Sequence, residues 1–410
     1  MMATLIFAWL HGCLAPECAH GSFGSAECRV AAENHYARLV TQTGIELRFH
    51  AAPVPDVASW DAVGLFEEDA DGTVTARPAG LADFALSLDG ARLPATQAVR
   101  LRITNLAPDT TVAVGPLDAL QPIALPDPPL LERGLLLQVP VDERIWVVGE
   151  RPCPDRFRLL AAGDVQTNPV QFERIVQSLH DEVARGSEAG EPVLGMLLLG
   201  DLTENATEDE FRRIREILAS SPVPVATTVG NHDVIGEELA IYNRLFGPGN
   251  HRFEVCGAQV AMVDSGNGDL APSIEGRLPE LLDAGEGASP LLVGTHYPPY
   301  PGRTGAGFAD DAQAYTLLAE AVRQEGDLVL AGHVHTWREF ADLSIAGGAI
   351  DQVITGTAGA SQGGGQPHFG VTRVTLPSAD FCFVEVPEPG RAPGDGGSGE
   401  GPLRRCPDVR

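Results

Sequence analysis

In "VLAGHVHTW", residues 329–337, an apolar run stops at Gly332 and two histidines follow, His333 and His335, one residue apart. Extended residues two apart point to the same side, so both imidazoles share a face and can hold metal or simply form a polar turn. Four other apolar runs end in the same way. "FRLLAAGDVQ" ends at Asp164, with Gln166 two beyond, and "VLGMLLLGD" ends at Asp201. "VPVATTVGNHD" ends in Asn231, His232 and Asp233, and "PLLVGTHYPP" turns at His296. A glycine stands directly before Asp164, Asp201, Asn231 and His333, where it lets the backbone turn tightly. Each motif alone has an ordinary reading as a turn or a surface residue. Five strand ends of ligand type point together to a metal site.

The elements that must bring these residues together begin near Cys153, where apolar strands start to alternate with helical stretches. In α/β folds the loops at the carboxyl ends of strands gather in one crevice, so ligands far apart in sequence can converge. "NPVQFERIVQSLHDEVARG" predicts a helix with Phe172, Ile175, Val176, Leu179 and Val183 on one face. "TEDEFRRIREILAS" predicts another with Phe211, Ile214, Ile217 and Leu218 inward and Thr207 as its N-cap. Residues 29–148 read differently: alternating runs punctuated by Pro, Gly and Asp predict a small all-β sandwich without a helix. The expected division is a leader and tether over 1–28, the sandwich over 29–148, an α/β domain over 153–387, and a low-complexity, disordered tail over 388–410.

The ordered set GD…GD…GNHD…GTH…GHVH resembles the calcineurin-like metallophosphoesterases, including the purple acid phosphatases, over about residues 155–385. The resemblance implies a four-layer α/β/β/α sandwich with two divalent metal ions, Mn, Fe or Zn, between the sheets. Asp201 would bridge the ions. Asp164 and His335, with Gln166 beside them, would serve one, and Asn231, His296 and His333 the other. His232 would contact the phosphate and assist the leaving oxygen, with Asp233 orienting or polarising it. "VRLRITNLAPDTTVAVG" in the first domain resembles the late strand and turn of a fibronectin type III module.

Two positions depart from the family pattern. Gln166 stands where many members carry histidine; a neutral amide oxygen is the weaker donor, and Gln166 can equally contact only water. Glu204 stands where purple acid phosphatases carry a tyrosine, so no tyrosinate–iron colour is expected.

Composition limits the partners. A formal net charge of −28 excludes a nucleic-acid partner that needs a basic surface. All 28 basic residues are arginine, which excludes chemistry built on a lysine amine. The substrate expected is a small phosphate ester. Substrate-selecting groups are expected in loops 265–275 and 297–310, with Tyr297, Tyr300 and Arg303 as candidates. The apolar run Ala3–Leu10 suits a signal peptide, and "LHGC" loosely resembles a lipobox whose Cys13 would tether the chain to a membrane. Export, whether to the periplasm, an outer-membrane lipoprotein or the extracellular space, is the expectation, and bacterial lipobox chemistry goes with it. The remaining six cysteines are compatible with disulfides. A second reading is an envelope or surface binding protein with a structural or degenerate metal centre.

Overall fold

The computed structural model describes residues 26–50, 63–81, 83–124, 131–236, 238, 240–283, 290–302, 305–360, 367–386 and 406. The leader with Cys13, the candidate Arg303 and the tail except Cys406 lie outside the described residues.

Among the described residues the first element is a helix, α1 (Ala26–Tyr36), where the sequence predicted none. Its buried side is Arg29, Ala32 and Glu33, so hydrophobic periodicity has almost nothing to report. Ten strands follow: β1 (Arg38–Val40), β2 (Glu46–His50), β3 (Gly64–Glu68), β4 (Thr73–Pro78), β5 (Phe84–Asp89), β6 (Gln97–Ile103), β7 (Thr111–Gly115), β8 (Gln121–Ile123), β9 (Arg133–Val139) and β10 (Arg144–Glu150). They form a six-stranded sheet in the order β1-β2-β5-β10-β7-β8 and a four-stranded sheet in the order β3-β4-β6-β9. Phe49, Phe66, Val74, Leu86, Leu101 and Val147 fill the space between them. The segment that resembles fibronectin type III is divided: β6 lies in the smaller sheet and β7 in the larger.

The second half alternates as the sequence predicts. β11 (Arg156–Ala162), α2 (Pro169–Glu188), β12 (Val193–Leu199), α3 (Glu208–Leu218) and β13 (Val225–Thr228) come first. α4 (Ile241–Phe246), β14 (His251–Val255), β15 (Ala258–Val263), α5 (Pro272–Glu275), α6 (Leu278–Leu281) and β16 (Leu291–Thr295) follow. The series ends with α7 (Asp311–Arg323), β17 (Leu328–Ala331), β18 (Trp337–Ile345), β19 (Gly348–Thr355), β20 (His368–Thr375) and β21 (Ser378–Glu385). One sheet runs β13-β12-β11-β20-β21 and the other β14-β15-β16-β17-β19-β18. β11, β12 and β13 are mutually parallel, as are β15, β16, β17 and β19.

Three apolar layers alternate with these sheets. Phe172, Ile175, Phe211 and Tyr242 pack α2–α4 on the first sheet. Leu159, Leu197, Met262, Leu292 and Leu330 lie between the sheets, and Leu317, Leu318 and Ala321 pack α7 on the second. Strands covered on both faces read as continuous apolar runs, and every residue of β12 is buried. The result is the expected four-layer α/β/β/α sandwich. Helix starts follow sequence chemistry: Asn168 caps α2, and Thr207 and Glu210 form a reciprocal capping box on α3, worth about 1 kcal/mol.

The sandwich is fastened to this domain. Leu81 enters the inter-sheet core, and Arg77 donates to the carbonyls of Phe246 and Val225. Cys153 and Cys256 form a disulfide between the linker and the β14–β15 turn. Cys382 and Cys406 form another, so the expected disordered tail is corrected at Cys406, which is buried and donates its N–H to Phe383.

Candidate metal centre

β11, β12, β13, β16 and β17 all end at one crevice, and each delivers its residues there. Three turns require unusual backbone: Asp164, Asp201 and His333 have φ of 60°, 53° and 70°, and His335 has 45°. Left-handed backbone at non-glycine residues costs energy and persists where the surroundings over-determine it, commonly at functional sites. The preceding glycines are there for space. A Cβ on Gly230 would lie 2.1 Å from the Asp201 nitrogen, and one on Gly332 would lie 2.8 Å from Asp164 Oδ2.

The side chains form two adjoining groups. Ligand atoms of Asp164, Asp201 and His335 lie within 4.8 Å of one another, with both carboxylates buried. In the second group, Asn231 Oδ1 is 3.0 Å from His296 Nε2 and 3.0 Å from His333 Nδ1. Asp201 adjoins both, because its Oδ1 is 3.4 Å from His296 Nε2 and its Oδ2 is 2.9 Å from Gln166 Nε2. His296 is oriented by its other nitrogen, whose N–H donates to the Leu199 carbonyl at 2.8 Å. The His333 N–H donates to Asp164 at 2.9 Å, and the Tyr297 ring lies against the His333 imidazole at 3.8 Å between centroids.

Electrostatics ask for positive charge at this spot. Burial alone would depress His296, but the neighbouring Asp201 and then Asp164 draw a proton onto it and raise it to about 9. His335 is raised likewise, against burial, by Asp164. Burial, then the charge on His296, push His333 down to about 3, leaving it a neutral lone-pair donor at physiological pH. A divalent cation answers the same carboxylates with more charge than a proton. Carboxylate, imidazole and amide oxygen together are the donors that Mn, Fe and Zn accept. The donor set therefore fits the metals that the sequence implies.

Gln166 is compatible with that fit. Its NH2 group donates to Asp201 and lies 3.0 Å from His335 Nε2, while its buried Oε1 has no hydrogen-bond partner. Turning the amide over would put the orphan oxygen beside the first group, since the two ends are nearly alike in shape.

Asp233 is a correction. It does not touch the His232 ring. Its Oδ1 accepts from the N–H groups of Leu202 and Thr203 and from the Thr203 hydroxyl, and its Oδ2 accepts from Gly230. A carboxylate with four such donors staples the Asp201 loop to the Asn231 loop. The His232 ring is held instead by Glu204, whose carbonyl accepts from Nδ1 at 2.8 Å. The His232 backbone N–H donates to Asp201 Oδ1. Sequence reasoning missed Thr203, and a lone threonine after a GD motif gives no signal. Of the two other candidates described, Tyr297 joins the site, while Tyr300 packs on Phe340 outside it.

Residues 157–337 match the family model of the calcineurin-like phosphoesterases. That segment belongs to this family. A probable cyclic nucleotide phosphodiesterase of Synechococcus is 29% identical over 151 residues, 34% of this chain and 57% of that protein. The chain thus spans little more than half the length of this curated relative. Among solved structures, a purple acid phosphatase from yellow lupin (Lupinus luteus) seeds shares 13% identity at a TM-score of 0.45, over 75% of this chain and 70% of its own. A dimetal phosphatase from Danio rerio shares 12% identity at a TM-score of 0.41, over 55% of this chain and 95% of its own.

Proposed function

We propose that the phosphoesterase domain hydrolyses small phosphate mono- or diesters with two divalent metal ions, Mn, Fe or Zn. The observation that carries this reading is the meeting of Asn231, His296 and His333 at 3.0 Å contacts beside the Asp164–Asp201–His335 group. Asp164 and His335 would hold one ion, Asn231, His296 and His333 the other, and Asp201 both. When bound, such a pair supplies Lewis acidity toward the phosphoryl oxygens and lowers the pKa of water. The chain's own contribution is positioning. Glu204 and Asp201 fix the His232 ring and backbone so that Nε2 can serve the leaving oxygen. Asp233 keeps the two loops in register through the donors it accepts from both. The Synechococcus relative favours including diesters among the substrates. The disulfides Cys153–Cys256 and Cys382–Cys406 support an exported protein, in keeping with an oxidising compartment.

The test is direct. Purified protein supplied with Mn²⁺ should hydrolyse p-nitrophenyl phosphate or bis(p-nitrophenyl) phosphate, and EDTA should abolish the activity. Inactivity with Mn, Fe and Zn on both esters would return the domain to the envelope-binding reading.

A further inference from the structure

A cavity of about 390 Å³ opens directly beside the metal centre, between the ends of β11 and β12 and the start of α3. It begins where the metal ligands stop. Val165 and Gln166 follow Asp164, and Leu202, Thr203 and Glu204 follow Asp201, and all five line it. Its floor is apolar, from Val165, Pro169, Leu202 and Ile214. Its charge is negative: Glu204, Asp209 and Glu210 line it against the single cation Arg213. Arg213 is already answered by Glu173 and Glu216, at 3.5 and 3.7 Å. Glu210 is taken up by the capping box and by Asn205. Glu204 differs. Its backbone carbonyl holds His232, but its Oε2 is buried and accepts no hydrogen bond. Gln166, 98% buried in the same wall, also has an orphan oxygen. A buried acceptor without a donor is costly, and a carboxylate more so, unless a ligand completes it.

We propose that this pocket receives the alcohol portion of the phosphate ester and selects esters whose alcohol carries a cationic amino group, with Glu204 as its partner. The inference rests on the hydrolase reading above. A phosphoryl group at the metal centre places the ester oxygen near His232, and the alcohol must leave on the side where space exists. The apolar floor suits a short alkyl chain. The carboxylate side suits an ammonium, and it disfavours a second anionic group, which would face Glu204 and Asp209. Glu204 would thus join leaving-group positioning, through its carbonyl on His232, with substrate choice, through its carboxylate.

The test compares three compounds of nearly equal size, 3-aminopropyl phosphate, 3-hydroxypropyl phosphate and propyl phosphate, by phosphate release from the Mn²⁺-loaded protein. A charge-assisted contact in a partly open pocket should raise kcat/KM for the amino ester about tenfold over the propyl ester, chiefly through KM. Glu204→Gln, which keeps shape, should bring that ratio near one. Equal rates for amino and propyl esters, equal preference for the hydroxyl ester, or a ratio that survives Glu204→Gln would each overturn the proposal. If no ester is turned over, p-nitrophenyl esters included, the hydrolase reading fails separately. Calorimetric binding of the same three compounds to wild type and Glu204→Gln then decides the pocket: an amino preference lost in the variant supports it, and its absence overturns it.

Discussion

At the scale of single residues, Asn231 and His232 are chain neighbours with different tasks. Asn231 offers Oδ1 to the meeting point of His296 and His333, whereas the His232 ring is held through Nδ1 by the Glu204 carbonyl. Asn231→Ala should therefore lower bound metal and rate together. His232→Ala should retain the full metal content by atomic emission and lose roughly 10²–10⁴-fold in kcat, the usual range for a general acid or base. Loss of metal from His232→Ala would place its imidazole among the ligands instead. The sequence made the convergence of Asp164, Asp201, Asn231, His296, His333 and His335 readable because these residues, of types that metals accept, cluster where apolar runs end. The task of Asp233 was not readable, because a carboxylate next to a histidine looks the same whether it orients the ring or staples two loops. Only its four donors distinguish the two.

At the scale of elements, the parallel strands were legible because burial on both faces leaves no polar residue to interrupt them. α2 and α3 were legible because one face is apolar and the caps are plain. α1 was not. Its inward residues Arg29 and Glu33 are ionisable, and only their partners more than 200 residues away make them interior. The strand ends also show why glycine recurs. At Gly230 an added Cβ would meet the Asp201 nitrogen at 2.1 Å and Oδ1 at 2.2 Å, both parts of a turn that cannot yield without moving a ligand. At Gly134 in β9 an added Cβ meets nothing within 4 Å. Gly230→Ala is expected to lower both the melting temperature and the bound metal, while Gly134→Ala should stay within about 0.5 kcal/mol of wild type. Full metal occupancy in Gly230→Ala would show that the Asp201 turn is more yielding than these contacts imply.

At the scale of the whole molecule, α1 is tied to the crevice loops of the phosphoesterase domain by buried ionisable groups. Arg29 grips Asp264 through two hydrogen bonds of 2.7 and 2.8 Å and reaches Asn267 with a third. Asp264 follows β15, and the next residue, Ser265, hydrogen-bonds Thr295 and the Tyr297 N–H beside the metal centre. One turn along α1, Glu33 accepts from the Gly249 and Asn250 N–H groups and the Asn250 amide. Burial, reinforced by the Asp264 carboxylate, pushes Glu33 up from 4.5 to about 8, against the pull of those donors. The folded chain therefore keeps a proton that the unfolded chain gives up between those two values. More protons in the folded state mean that stability falls as pH rises, at about 1.4 kcal/mol per pKa unit spanned. This contribution is complete at acid pH and is lost as pH climbs toward 8. Glu33→Gln keeps the acceptor oxygen and has no proton to lose. Urea midpoints of the two proteins should lie close together near pH 5 and separate toward pH 8, with the glutamine variant the more stable by a few kcal/mol. Parallel midpoints across that range would mean that Glu33 stays ionised in the folded protein, with Arg29 compensating it as well as Asp264.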